Sequence, residues 1–197
     1  MSNLLFQPWV GLNYGKTDLG KLLIVGESHY FYHNETDYAN FTKKIIQGLG
    51  TTGDNDFYIK VGHVFNPDNH LDLWSKVAFA NAIQYPFKES RQSITKEQYK
   101  TVEPAIKEYL ELTTPSKMIV FSKGVWDKGL PESISWGKYV ETLHDEKYDR
   151  GGTVWKFEHS TGYCYGIGIH HPSSLNPYFR PDEWRPLVEK FLEKDYD

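Results

Sequence analysis

The chain has 197 residues, of which 39% are hydrophobic and 24% charged, a balance that suits one domain spanning 1–197 with a sizeable buried core. The formal net charge of −4 argues against a strong general grip on a phosphate backbone, yet leaves room for a local basic groove. The single cysteine, Cys164, excludes an internal disulfide and any multi-cysteine metal or iron–sulfur centre.

The first regular element is an apolar strand from Lys21 to Val25, ended by Gly26. Tyr38 to Leu49 then carries apolar residues at helical spacing and stops at Gly50. After a polar turn, Phe57, Val61, Val64 and Phe65 mark a second amphipathic stretch. Val77 to Ile83 reads as a short strand, and Phe87 to Ser93 as a loop. Thr95 to Leu112 reads as one helix, with Thr95 as its N-cap and Gln98 completing a capping box. Lys117 to Phe121 is a buried strand followed by Ser122-Lys123-Gly124, and His144 to Gly152 a solvated hairpin or loop. Cys164 to His170 is the last strand, and Pro181 to Lys194 a closing helix with Trp184, Leu187, Val188, Phe191 and Leu192 inward. The strands are continuous apolar runs alternating with helices, which predicts an α/β fold: three layers, α/β/α, around a central four-stranded parallel sheet.

Open parallel sheets bind ligands at the carboxyl ends of their strands. Those positions hold Gly26, Glu27, Ser28, His29 and Tyr30 after the first strand, Asn81 at the end of the second, and His171, Pro172, Ser173, Ser174 and Leu175 after the last. Each also has a plain structural reading: a helix cap for Glu27 or Ser173, a loop bond for Asn81, a turn for His171, a packed ring for Tyr30. The histidines form no HExxH or similar set, so no metal is expected, and no GxSxG elbow is present. No run resembles a signal peptide or is long enough to cross a bilayer, so no membrane partner and a cytoplasmic location are expected.

The segments KLLIVGESHY and GIGIHHPSSL, with VAFANAIQYPFKESRQSITKEQ between them, resemble the uracil-DNA glycosylase superfamily over roughly Lys21 to Leu175. In that superfamily a strand ends in Gly and then Gln or Glu, and a His-Pro-Ser loop follows the last strand. The resemblance implies a glycosylase-like fold and hydrolysis of the bond between a deaminated base and its sugar, the base being swung out of the duplex. It implies that His171 donates to the base carbonyl, with Glu27 and Ser28 beside it in the catalytic loop. Ser28 stands where the best-known members carry Asp. Asn81 would pair with the edge of the base, Tyr30 close one side of the pocket, Phe41 stack, and Gly26 line the floor. His29 is either an extra base contact or a packed ring. Ser173 and Ser174 would touch phosphate, Leu175 fill the vacated stack, and Lys88, Arg91 and Lys96 edge a basic groove. The implied partner is single- or double-stranded DNA holding a damaged or deaminated base, met by a monomer without cofactor. Two other readings stay open: an inactive module of this type that binds a nucleobase, nucleotide or single strand, and a hydrolase of free nucleosides.

Overall fold

The computed structural model describes residues 4–30, 36–51, 56–89, 92–130, 136–172 and 179–196. Side chains alternate across a strand, so a run with no polar residue must be covered on both sides. In β2 (Leu22–Gly26) every residue is buried. Leu22 and Ile24 join a core with Phe57, Val61 and Val64 of α2 (Asp56–Phe65) and Trp184, Leu187 and Phe191 of α5 (Pro181–Glu193). Leu23 and Val25 join a second core, on the opposite face, with Val102, Ile106 and Tyr109 of α4 (Val102–Thr113).

The sheet has seven strands in the order β1-β3-β2-β4-β7-β6-β5. The remaining strands are β1 (Trp9–Val10), β3 (Ala78–Asn81), β4 (Lys117–Phe121), β5 (Gly137–Asp145), β6 (Arg150–His159) and β7 (Gly162–Ile169). This corrects the expectation of three layers around a four-stranded parallel sheet, because the sheet is of mixed direction. The pairs β3–β2, β2–β4 and β4–β7 are parallel, whereas β1–β3, β7–β6 and β6–β5 are antiparallel. The segment foreseen as a loop at 144–152 is the tip of a long hairpin. His144 to Asp145 and Arg150 to Gly152 are paired strand, and the turn between them places Asp149 at φ 52°.

The first helix, α1 (Phe41–Gly48), ends near Gly50, whose φ of 77° is the left-handed conformation expected of a glycine there. The predicted helix from Thr95 to Leu112 forms as two pieces, α3 (Lys96–Tyr99) and α4. Thr101 stands at the break. Its hydroxyl donates to the Gln98 carbonyl at 2.7 Å and accepts the Gln84 N–H at 3.1 Å, which ties the joint to the loop after β3. The capping box at Thr95 forms: Gln98 N–H donates to Thr95 Oγ1 and Thr95 N–H to Gln98 Oε1. Thr95→Ala is expected to cost about 1 kcal/mol in urea unfolding, with the slope of the transition unchanged. Among the described residues, no helix is long and apolar enough to cross a membrane.

Candidate functional site

The parallel strands β3, β2, β4 and β7 end on the same side of the sheet, at Asn81, Gly26, Phe121 and Ile169. The residues at and just beyond those ends are Asn81, Glu27, Ser122 and His170-His171, so four separate parts of the chain bring polar groups to one edge.

Glu27 is held from β4. The Ser122 hydroxyl donates to Glu27 Oε2 at 2.6 Å and accepts the Val125 N–H at 3.1 Å, so its proton is committed to the carboxylate. Gly124 leaves the space beside this pair open. A Cβ there would lie 2.8 Å from the Tyr99 hydroxyl, 3.5 Å from Ser122 Oγ and 3.6 Å from Glu27 Oε2. The three oxygens therefore surround one small gap. Burial and the Glu27 charge both push the Tyr99 phenol above its ordinary range, which keeps it a proton donor.

His171 follows the end of β7, within reach of the Glu27 charge. Burial pushes its pKa below the ordinary 6.5, the Glu27 charge opposes this, and the Lys60 charge adds to it. The imidazole is thus neutral near pH 7, able to donate one N–H without first taking up a proton. Its ring packs on Phe57, centroids 5.2 Å apart and planes tilted by 36°. Lys60 of α2 reaches the Pro172 carbonyl at 3.4 Å.

Asn81 is buried, at 4% exposure, and turned toward the protein. Its Nδ2 donates to His29 Nδ1 at 3.0 Å, and the opposite nitrogen of His29 bonds Thr42 Oγ1 of α1 at 2.9 Å. An acceptor at Nδ1 requires the proton at Nε2, so Thr42 accepts from it. His29 is itself buried, at 2% exposure, with Phe6 and Phe41 meeting its ring edge-on at 4.8 Å and 5.0 Å. Burial drives its pKa down to about 3. The contact depends on Gly26: a Cβ there would stand 2.2 Å from Asn81 Oδ1 and 3.0 Å from Phe57 Cζ.

Of the strand-end residues, Gly26, Asn81 and His29 thus meet in one cluster, while Glu27 is held by Ser122 and acts on His171 through its charge. Ser28 lies beside them, its hydroxyl oxygen buried and without a hydrogen-bond partner among the described residues. Phe41 packs on His29. Tyr30 is bridged to Phe87, the two ring centroids 6.1 Å apart. Lys88 is exposed next to Phe87. Arg91, Ser173, Ser174 and Leu175 lie outside the described residues.

Sequence reasoning missed Ser122, Phe57 and Tyr99. Ser122 had a visible signal, being the polar residue directly after a buried strand; Phe57 and Tyr99 lie on helices and had none. Among the described residues, no group of three or more His, Cys, Asp or Glu side chains is arranged to hold a metal ion. A scan against protein-family models found no match to this chain, and a search of curated proteins found none either.

Proposed function

We propose that this chain hydrolyses N-glycosidic bonds, with uracil or a related deaminated base in DNA as the group released. The observation that carries the reading is the placement of Glu27 and His171 just beyond the ends of the parallel strands β2 and β7, on one side of the sheet, with the Glu27 charge felt at a neutral His171. Breaking such a bond leaves negative charge on the base and positive charge on the sugar. A fixed carboxylate answers the second charge, and also accepts a proton from an attacking water. A neutral imidazole N–H answers the first without having to lose a proton afterwards. Ser122 supports this division by donating its proton to Glu27 Oε2 at 2.6 Å, which fixes where the carboxylate sits.

One observation favours a second reading. Asn81, the residue best suited to pair with a base edge, already donates to a buried histidine. A module that binds a base and does not turn it over has no need of a carboxylate poised to take a proton from water. Oligonucleotides carrying uracil, hypoxanthine or xanthine separate the two. The hydrolase reading expects abasic product on at least one of them, reduced on the order of 100-fold or more in Glu27→Gln. Saturable retention of the base with no abasic product would replace it with the binding reading.

A further inference from the structure

A large groove of about 1520 Å³ runs beside α3 and α4, and neither Glu27 nor His171 lines it. It exceeds the roughly 300–1,000 Å³ of an ordinary small-molecule pocket. Its charge is uneven: Glu103 and Lys107 line its middle as an ion pair at 2.6 Å, Glu108 lies beyond them, and Lys100 pairs with Glu97 at 2.7 Å, so the excess of lysine gathers at one end and of glutamate at the other. Lys96, Lys100 and Lys128 stand at the end where α3 meets α4, with the Lys128 ammonium 5.6 Å above the Tyr99 ring. Glu111, which accepts the Ser160 N–H, and Glu158 stand at the other. An anion entering the groove is drawn to the lysine end and repelled from the far one.

The lysine end is also the end that adjoins the strand-edge site. Tyr99 belongs to both: its ring lines the groove, and its hydroxyl comes within 2.8 Å of the Cβ position at Gly124, around which Glu27 and Ser122 gather. A ligand whose base lies against His171 and whose sugar faces Glu27 has its phosphate next in line. The geometry points to a phosphate-binding subsite made by Lys96, Lys100 and Lys128, with Tyr99 as its aromatic floor, that receives the phosphate of the same nucleotide whose base is held between Glu27 and His171. This rests on the reading of that pair as a base site. Aromatic rings beside lysines suit a flexible, single-stranded backbone or a free nucleotide, because both let phosphate and ring adjust independently.

The experiment measures binding by the full chain of a fluorescein-labelled eight-residue oligothymidylate, with thymidine 5′-monophosphate and thymidine as competitors. None contains an excisable base, so failure of base excision leaves the result readable and the two ideas fall separately. The expected result is a salt-dependent affinity. In the Lys96→Gln, Lys100→Gln, Lys128→Gln triple variant it drops about tenfold or more, with a salt slope shallower by roughly one unit per lysine. A control with the same charge change elsewhere, Lys16→Gln, Lys138→Gln and Lys147→Gln, keeps its affinity within about twofold. Competition by the monophosphate assigns the subsite to free nucleotides; retention of the oligomer alone assigns it to a strand. The proposal is overturned if both triple variants behave alike, or if thymidine competes as well as its monophosphate.

Discussion

Replacing His29 by alanine is expected to destabilise the protein by about 3–5 kcal/mol, measured by chemical denaturation at pH 7. The side chain is buried, wedged between the rings of Phe6 and Phe41, so its removal leaves a ring-sized void. It also strands two polar groups, Asn81 Nδ2 and Thr42 Oγ1, where water cannot readily replace the lost bonds. His29→Phe separates these contributions. It restores the ring volume and leaves the stranded groups, so about 1–3 kcal/mol of the loss should remain.

The same pair of variants carries a pH signature. His29 titrates at about 3 in the folded chain against 6.5 in an unfolded one, so the fold prefers the neutral ring. Its contribution is fully present above pH 6.5 and is lost as pH falls from 6.5 toward 3, at about 1.4 kcal/mol per pH unit. His29→Phe has no proton to take up there. The stability difference between wild type and His29→Phe should therefore fall steadily over that window and reverse sign within roughly two units, since about 1.4 kcal/mol per unit soon exceeds the advantage of about 1–3 kcal/mol. A difference that stays constant from pH 7 to 4 would show that His29 is accessible to protons in the folded chain.

The lock around His29 also shows where sequence reasoning stops. Gly26, Glu27 and His171 were visible because a buried apolar run ends at each corner, and the residue that follows must face the edge. The partnership of Asn81 with His29 was not, since the two lie 52 positions apart and meet only when β2 and β3 pair in register. The base-pairing role given to Asn81 came from the family resemblance and its place at a strand end; the bond its amide makes to His29 was not part of that expectation. The antiparallel half of the sheet was missed for a different reason. β5 and β6 mix charged, glycine and aromatic residues, and only scattered positions such as Leu143, Val154 and Phe157 are buried. Such half-covered strands have no continuous apolar run to betray them. The single long helix expected from Thr95 is interrupted at Lys100-Thr101 because Pro104 has no N–H to give the Lys100 carbonyl and its ring crowds that carbonyl in a continuous helix; Thr101 then ties the joint to Gln98 and Gln84.

The second large effect concerns the pair on which the proposed chemistry depends. Under the proposed hydrolysis, Glu27→Gln and His171→Ala are each expected to lower the single-turnover rate on the responsive oligonucleotide roughly 100- to 1,000-fold, the usual cost of removing one group that stabilises transition-state charge. The groups interact, because the Glu27 charge already raises the His171 pKa. The double variant should then fall short of the product of the single losses by about 1 kcal/mol, roughly fivefold. The acid limb of the pH profile gives an independent readout. His171 must be neutral to act as described, and Glu27 is the influence that favours its protonation. Removing the carboxylate lets burial and Lys60 act unopposed, so the His171 transition moves to lower pH and Glu27→Gln keeps its residual activity further into acid than wild type. Losses that multiply without remainder, together with an acid limb that does not move, would mean that the two side chains act at separate places, and the strand edge would no longer be one site.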